Sequence, residues 1–372
     1  MMTGNREKEK DKEKKVRVGI SHGDFNGISY EIIIKTFLDK RMLQMMTPVI
    51  YGSSKIASYY RKTLNYTDIS FNLVRKADLA NPNRLNIINC YDQEVKIEIG
   101  KLSEKAGELA VLALEKVVTD MMHDSIDVLV TAPINKKSIH SESFNFPGHT
   151  EYLATKFNAE DYLMMMVSEN LRIGIITGHI PLKDVSASIT EDLIIRKIKI
   201  MNDSLKKDFT IRKPKIAVLG LNPHAGDDGV IGNEENEIII PAVKKAYDEG
   251  ILCFGPYPAD GFFGSSAYSK FDGIISLYHD QGMLPFKTLA FGSGVNFTAG
   301  LPYVRTSPAH GTAFDIAGKK KASPDSFRQA IYLGIDIFKN RKLNDEISKN
   351  PLPVGENGNG KKTDGQSKNQ VR

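Results

Sequence analysis

Short apolar segments alternate along the chain with longer segments in which apolar residues recur every three or four positions. The first pattern predicts buried strands, and the second predicts amphipathic helices. The predicted strands are Val16–Ser21, Pro48–Gly52, Leu85–Asn89, Asp127–Ala132, Ile173–Thr177, Lys215–Leu221 and Phe271–Tyr278. The predicted helices are Ser29–Leu38, Ser103–His123, Glu191–Leu205, Asn236–Tyr247 and Asp325–Phe338. Such an alternation is typical of an α/β protein with a largely parallel sheet.

The clearest helical pattern begins at Ser103, whose hydroxyl can cap the first turn. Its apolar residues recur on one face of the predicted helix: Ala106, Leu109, Ala110, Ala113, Leu114, Val117 and Met121. We interpret this stripe as core packing rather than as a cofactor site.

The composition is that of a globular protein with about two domains: 372 residues, 41% hydrophobic and 26% charged. No apolar run approaches the roughly 18 residues that a membrane span needs. The charged run Arg6–Lys15 is not followed by an apolar segment, so it does not predict a secretory signal. Only two cysteines occur, Cys90 and Cys253, which favours a cytoplasmic location over a disulfide scaffold.

Both ends of the chain have a low-complexity composition that cannot bury apolar surface. We therefore expect residues 1–15 and 346–372 to be disordered tails. These tails contribute to the net charge of +5, and the body of the chain shows no basic patch with interleaved aromatic residues. Nucleic-acid binding is therefore not predicted.

Three histidines follow three predicted strands: His179, His224 and His279. Ligands collect beyond the carboxyl ends of strands in open α/β sheets, so the three imidazoles could face one crevice. Three imidazoles with an open fourth position are typical ligands of a catalytic Zn²⁺ ion. Because the strand order is not visible in a sequence, separate hydrogen-bonded loop histidines remain the alternative.

A polar segment follows the last predicted strand and carries Lys287, Asn296 and Arg305. Its many glycines predict a loop, and its cations suit a small anionic substrate because Arg can bind two phosphate or carboxylate oxygens at once. A solvated loop with scattered charges is the alternative. Asp260 lies in another predicted loop, where it could orient a ligand or act as a base, or be an ordinary turn residue.

The segment 222–235, NPHAGDDGVIGNEE, is acidic and rich in glycine, and a predicted helix follows it. Backbone amides near a helix start favour anions, so this segment could bind a nucleotide. The candidate cofactor-binding residues are Asn222, Gly226, Asp227, Gly232 and Glu235. The dinucleotide fingerprint GxGxxG, the P-loop, the GxSxG elbow and the HExxH zinc motif are all absent from the sequence.

Four segments carry a family resemblance: 147–151 (PGHTE), 177–182 (TGHIPL), 221–226 (LNPHAG) and 278–282 (YHDQG) continuing to residue 307. Together they resemble the 4-hydroxythreonine-4-phosphate dehydrogenases, the PdxA family of vitamin B6 synthesis, from about Val16 to Lys339. The resemblance implies that the three strand-end histidines bind a divalent metal ion. It also implies a set of substrate-binding residues: His149, Thr150, Lys287, Asn296 and Arg305. Asp260 and Lys287 are the predicted catalytic residues.

The resemblance also implies a fold like that of isocitrate and isopropylmalate dehydrogenases, which would explain an NAD enzyme without GxGxxG. We expect residues 16–133 with about 283–345 to form one α/β domain. Residues 134–282 would form a second one that carries the metal ligands and the dimer contacts. The resemblance further implies a homodimer whose active site is shared between subunits. Imidazole ligands favour Zn²⁺ or Co²⁺, with Mn²⁺ and Mg²⁺ as alternatives, and the sequence leaves NAD and NADP undistinguished.

The implied function is NAD-dependent oxidation and decarboxylation of 4-phosphohydroxy-L-threonine to 3-amino-2-oxopropyl phosphate, in pyridoxal phosphate biosynthesis. One alternative is a dehydrogenase of the same fold for another substrate, such as 4-phosphoerythronate or an aromatic dihydrodiol. The other is a non-catalytic protein that binds metal and phosphate. The first loop, residues 23–31 (GDFNGISYE), departs from the usual GDPAGIGPE of the family by losing both prolines. This departure leaves the shape of the loop and the fine substrate choice open.

Overall fold

The computed structural model describes residues 15–140, 144, 146, 148–290 and 292–349. Of the predicted tails, only residue 15 and residues 346–349 are among the described residues. The last helix continues to Ser348, past residue 345, where the sequence predicted the folded body to end. Within the described residues, no helix combines the length and the apolar character needed to cross a bilayer.

The described residues form one mixed sheet of twelve strands, and eight of its eleven strand pairs are parallel. The strands are β1 (Val16–Ser21), β2 (Met46–Gly52), β3 (Phe71–Leu73), β4 (Leu85–Asn89), β5 (Val128–Thr131), β6 (Leu163–Val167), β7 (Arg172–Thr177), β8 (Ile216–Leu219), β9 (Cys253–Tyr257), β10 (Gly273–Tyr278), β11 (Val295–Ala299) and β12 (Val304–Pro308). Their order across the sheet is β3-β4-β2-β1-β5-β12-β11-β6-β7-β10-β8-β9. The predicted α/β class with a largely parallel sheet is confirmed.

Helices cover the sheet. They are α1 (Ser29–Leu38), α2 (Met42–Met45), α3 (Ser54–Thr63), α4 (Glu104–Met122), α5 (Lys136–Ile139), α6 (His149–Lys156), α7 (Val185–Ser188), α8 (Glu191–Lys207), α9 (Ile240–Asp248), α10 (Ala259–Gly264), α11 (His279–Leu289) and α12 (Asp325–Ser348). Short 3-10 turns occur at Ala77–Leu79, Leu182–Asp184 and Ala267–Lys270, a turn with left-handed residues spans Pro223–Gly229, and a π-helical turn, Glu235–Ile239, precedes α9.

The predicted apolar stripe of α4 lies in the core, as expected. Ala106, Leu109 and Val117 are completely buried, and the hydroxyl of Ser103 accepts a hydrogen bond from the backbone amide of Ala106 at 3.4 Å. This cap satisfies one of the amides that a helix start leaves without an intrahelical partner. A local sequence signal was sufficient here because both the cap and the buried face lie within one helix.

The prediction of a polar loop after β10 is wrong, because the chain there forms α11, β11 and β12 instead. Lys287 lies in the last turn of α11, Asn296 in β11 and Arg305 in β12. Pro285 lies inside α11, and a proline within a pattern normally argues against a helix. The three antiparallel pairs of the sheet, β12-β11, β11-β6 and β6-β7, are all at its centre.

The first loop, 23–31, folds away from solvent. Phe25 and Tyr30 stand where the family usually has prolines, and both are completely buried. The Tyr30 ring stacks between His22 and Tyr60, with ring centroids 5.6 and 5.7 Å apart. Neither substituted side chain reaches the central cavity described below. Aromatic packing therefore replaces the two prolines as the determinant of the loop's shape.

The predicted two-domain division remains a prediction. Strands of the predicted first domain occupy the sheet from β3 to β11, and strands of the second occupy it from β6 to β9. The antiparallel pair of β11 and β6 joins the two halves into one continuous sheet. The predicted boundary at residues 282–283 falls inside α11.

Candidate active site

A cavity of about 230 Å³ lies over the centre of the sheet, where β5, β12, β11 and β6 are neighbours. The end of β5, the start of α6 and the side chains of β6, β11 and β12 form its walls, and histidines from the ends of β7 and β10 close one side. Its lining residues include Thr131, Lys136, Gly148, His149, Thr150, Glu151, Met164, Met166, His179, His279, Met283, Asn296, Arg305, Ser307 and His310.

Strand geometry aligns the polar residues of β11 and β12 on the cavity side. Asn296 is paired directly with Ser307, so both side chains lie on one face of the sheet. Arg305 lies two residues before Ser307 and therefore shares that face. The intervening Thr306 points the other way, and its hydroxyl donates a 2.7 Å hydrogen bond to the carbonyl of Ala330 in α12. The alternation places one face in the core and the other in the cavity.

Arg305 is a buried cation with neutral neighbours. Only 3% of its surface is exposed. Its guanidinium donates to the hydroxyl of Thr131 at 2.7 and 3.2 Å and to that of Thr298 at 3.3 Å. Among the described residues, no carboxylate lies within ion-pair distance of it. Burial lowers the pKa of Arg305 to about 10, while the more distant Glu151 opposes this shift. A buried charge without a counter-charge is costly, so this arrangement favours an anionic ligand.

His149 is a neutral neighbour of Arg305. Its Nδ1 lies 3.3 Å from Nη2 of Arg305. A guanidinium can only donate, so Nδ1 of His149 accepts and the ring proton resides on Nε2. Burial and the adjacent guanidinium hold the pKa of His149 well below its usual value. His149 can therefore act as a hydrogen-bond donor to a ligand oxygen without a change of charge.

His179 and His279 are brought together by adjacent parallel strands. β7 and β10 are paired, with Thr177 opposite Tyr278, and each histidine follows within two residues of its strand end. The two imidazole rings lie 5.9 Å apart between centroids. Two of the three predicted metal ligands therefore converge at one side of the cavity, as the strand-end pattern suggested.

His224 does not join this pair within the chain. Its strand, β8, is the other neighbour of β10, but His224 lies five residues beyond the strand end at Leu219. It lies in a run of left-handed residues, with φ values of 55° at His224 and 46° at Asp227, and is exposed outside the cavity. The described residues contain no group of three or more His, Cys, Asp or Glu side chains placed to hold a metal ion.

Lys287 and Asp260 also lie apart from the cavity. Lys287 is exposed in the last turn of α11, and Asp260 is exposed in the first turn of α10. Thr150, in contrast, lines the cavity beside His149 in the first turn of α6. A single chain thus brings together four of the five predicted substrate-binding residues, all except Lys287.

The predicted cofactor segment, 222–235, is built around its own carboxylate. Glu235 is buried, and its Oε1 accepts hydrogen bonds from the amides of Leu221 and Asn222 at 2.7 and 2.8 Å. Its Oε2 accepts from the side-chain amide of Asn222 at 2.9 Å. These amides are consequently engaged within the loop. None of Asn222, Gly226, Asp227, Gly232 and Glu235 lines the central cavity, and their predicted role in cofactor binding remains a prediction.

The sequence analysis assigned no role to several residues of the cavity. Glu151 lies in the motif that supplied His149 and Thr150, and its Oε1 is 3.8 Å from Nδ1 of His179. Burial tends to raise the pKa of Glu151, but His179, a backbone amide and Lys136 together hold it below its usual value. Lys136 and His310 also line the cavity. Their positions five residues after β5 and two residues after β12 were the signal that could have identified them.

Three comparisons identify relatives of the chain. The protein-family model described as "Pyridoxal phosphate biosynthetic protein PdxA" matches residues 44–334. The chain is 53% identical over 341 residues to the 4-hydroxythreonine-4-phosphate dehydrogenase of Bacteroides thetaiotaomicron, covering 91% of this chain and 93% of the relative. It is 42% identical over 327 residues to the enzyme of that name from Sulfurihydrogenibium sp., covering 88% and 100%. A crystal structure of 4-hydroxythreonine-4-phosphate dehydrogenase from Klebsiella pneumoniae superposes with a TM-score of 0.75 at 32% identity, covering 87% of this chain and 98% of the other.

Proposed function

Since the chain belongs to the PdxA family, we propose that it is an NAD-dependent dehydrogenase that oxidises and decarboxylates 4-phosphohydroxy-L-threonine. The product would be 3-amino-2-oxopropyl phosphate, a precursor in pyridoxal phosphate biosynthesis. The names of its relatives support the reaction, and the chemistry of the cavity supports the substrate class. The observation that carries the proposal is the buried, uncompensated guanidinium of Arg305 facing a cavity.

Arg305 would bind the phosphate or carboxylate of the substrate. Its contacts with Thr131 and Thr298 hold the planar group in place before the ligand arrives, which reduces the entropy lost on binding. Asn296 adds a second polar contact, since its buried Oδ1 has no hydrogen-bond donor among the described residues and can accept a hydrogen bond from the hydroxyl or ammonium group of the substrate. His149 and Thr150 lie at the start of α6, where free backbone amides also favour an anion.

His179 and His279 would hold the divalent metal ion. Imidazole nitrogens are suitable ligands for Zn²⁺ or Co²⁺, and the two rings are close enough to share one ion. When bound, the ion would favour the alkoxide form of the substrate hydroxyl, and NAD⁺ would accept the hydride. Met164, Met166 and Met283 form an apolar wall of the same cavity, and exclusion of water there would strengthen the charge interactions of Arg305.

A homodimer would complete the site. His224, Lys287 and Asp260 are exposed in the single chain, although the resemblance implies functions for the first two. We propose that these residues reach the cavity of a second copy, where His224 would be the third metal ligand and Lys287 a second cation for the substrate. Exposed apolar side chains beside them, Leu284 in α11 and Val230 after the His224 loop, are suited to an interface between copies.

The test is NADH formation from NAD⁺ and 4-phosphohydroxy-L-threonine by the full chain. We expect turnover that a chelator abolishes and that added Zn²⁺ or Co²⁺ restores. Parallel assays with NADP⁺ and with 4-phosphoerythronate determine the cofactor and substrate preferences. If the chain turned over 4-phosphoerythronate but not 4-phosphohydroxy-L-threonine, 4-phosphoerythronate would be its substrate instead.

A further inference from the structure

An exposed lysine that lines the cavity, Lys136, has no role in the proposed function so far. It is the first residue of α5, and the backbone of this short helix is held firmly. The side chain of Asn135 accepts hydrogen bonds from the amides of Lys137 and Ser138 at 2.9 and 3.3 Å. Gly107 lets α4 pack closely against α5, because a Cβ there would lie only 1.8 Å from the carbonyl oxygen of Ser138. The structure therefore fixes Lys136 at the cavity, while its long side chain can adapt to a ligand.

The cavity carries more positive than negative charge. Lys136 and Arg305 are the only lysine and arginine among the described residues that line it, and Glu151 is the only acidic one. Within the described part of the chain, no carboxylate lies at ion-pair distance from the ammonium of Lys136. Burial tends to raise the pKa of Glu151, and Lys136 is one of the groups that hold it below its usual value. One carboxylate cannot balance two cations, so the cavity favours a ligand with negative charge.

The proposed substrate has two anionic groups, a phosphate and a carboxylate at opposite ends of a short chain. The phosphate suits the surroundings of Arg305, where the guanidinium, the Nε2–H group of His149 and the amides at the start of α6 all offer hydrogen bonds. A phosphate bound there occupies Arg305. The carboxylate then needs a different cation, and Lys136 is the one that the same chain supplies.

The chemistry of the proposed reaction also favours a lysine for the carboxylate. This group leaves as carbon dioxide, so tight binding of its charged form would oppose the reaction. An exposed ammonium on a flexible stem binds a carboxylate less tightly than a buried, planar guanidinium does. The phosphate, in contrast, stays on the product and can be bound tightly throughout.

We propose that Lys136 binds the carboxylate of 4-phosphohydroxy-L-threonine while Arg305 binds its phosphate. The two cations of one chain would thereby fix the direction in which the substrate lies in the cavity, and would select substrates with an anionic group at each end. The proposal rests on the proposed function for the identity of the substrate. It assigns a role to a residue for which the sequence patterns predicted none.

Calorimetric titration of the full chain with saturating Zn²⁺ and without NAD⁺ tests the proposal, because binding is then measured without turnover. Lys136→Met removes the ammonium but keeps the length of the side chain. It should raise the Kd of 4-phosphohydroxy-L-threonine about threefold to tenfold, a modest change because water partly screens an exposed charge. The product, 3-amino-2-oxopropyl phosphate, has the phosphate but no carboxylate, so its Kd should not change. Lys136→Arg keeps the charge and should bind the substrate almost as well as the unaltered chain.

Two further variants are the controls. Lys137→Met changes the neighbouring exposed lysine, which is not among the residues that line the cavity, and both dissociation constants should stay the same. Arg305→Lys should raise the Kd of the substrate and of the product together, because both carry the phosphate. Melting temperatures verify that each variant is folded.

Three results would overturn the proposal. An unchanged Kd of the substrate in Lys136→Met would leave Lys136 without a role in binding. Equal rises for the substrate and the product would place Lys136 at the phosphate instead. A raised KM for NAD⁺ alone, measured at steady state, would make Lys136 a cofactor contact.

Failure of the proposed function gives a different result. If the unaltered chain bound the substrate and the product but formed no NADH, the proposed reaction would be wrong, and the dissociation constants would still decide the role of Lys136. If the unaltered chain bound neither compound, the proposed function and this proposal would both be rejected.

Discussion

Two buried polar clusters of the molecule differ in what their charges face. In the first-loop cluster, Asp24 and Glu31 accept hydrogen bonds from the chain itself: Asp24 from the amide of Asn26 at 2.9 Å, and Glu31 from Lys35 Nζ at 2.9 Å. In the cavity cluster, formed by Arg305, His149 and Asn296, the cation has neutral partners and a cavity in front of it.

The comparison shows that burial and a shifted pKa do not by themselves identify an active site. Burial raises the pKa of Asp24 to about 6 and lowers that of Arg305 to about 10. Both residues are almost inaccessible to solvent. Only Arg305 combines the shift with an unbalanced charge and access to a cavity, which are the features of a ligand site. Changes in the cavity cluster should therefore affect function, and changes in the first-loop cluster should affect stability.

The largest effect on function is expected for the histidine pair. His279→Ala or His179→Ala should abolish turnover, because each removes one of the two paired imidazoles that we propose as metal ligands, while the free energy of unfolding changes little. Steady-state rates and elemental analysis measure this outcome, with the exposed His123→Ala as the control. A variant that retained full metal and normal turnover would exclude that histidine from the site.

The largest effect on stability is expected at Glu31. Its carboxylate is completely buried and pairs with Lys35, which also donates to the carbonyls of Lys320 and Ala322. Glu31→Ala should lower the free energy of unfolding by about 3 kcal/mol, because it leaves a largely buried ammonium group without a counter-charge. Glu108→Ala, which breaks an exposed pair with Lys105, should cost less than about 0.5 kcal/mol.

Urea unfolding of Glu31→Ala and Glu108→Ala measures these changes in the free energy of unfolding. The KM of each folded variant should be unchanged. A raised KM at normal stability in Glu31→Ala would contradict the assignment of the first-loop cluster to stability.

Asp24 should make the free energy of unfolding depend on pH. Its pKa is about 6 in the folded chain, above the ordinary value near 4 in an unfolded chain. The folded state therefore binds more protons between these values, so the free energy of unfolding should fall as the pH rises from about 4 to about 6. The full loss is about 3 kcal/mol.

Asp24→Asn keeps an acceptor for the amide of Asn26 and should remove this contribution. Unfolding curves of both proteins across the pH range measure it. Identical pH profiles for the two proteins would show that Asp24 is already ionised at low pH in the folded chain.

The smallest of these effects, and the most specific, is expected for Arg305→Lys. Lysine keeps the charge but cannot bind two oxygens with a planar group. Loss of one charge-assisted hydrogen bond costs about 1.5–3 kcal/mol, or about a tenfold to hundredfold rise in the KM of the phosphorylated substrate. The KM of NAD⁺ should not change. Equal changes in both constants would place Arg305 outside the substrate subsite.

The sequence by itself determined the local features of this protein. The strands β1, β4, β7 and β10, the capped helix α4 and the order of the histidine-containing motifs follow from patterns within a few residues. The same motifs carried the family resemblance that the comparisons confirmed. These features could be predicted because periodicity, capping and motif spacing depend on neighbours in the chain.

Only the tertiary structure decided which of these features meet. Arg305 and Thr131 are 174 residues apart and touch because β12 inserts beside β5. His179 and His279 meet because β7 and β10 are neighbours, whereas His224 stays outside because its loop continues past the strand end. Strand order depends on the packing of the whole sheet and leaves no local trace in the sequence, so candidate residues of the site could be predicted but not which of them meet in one cavity.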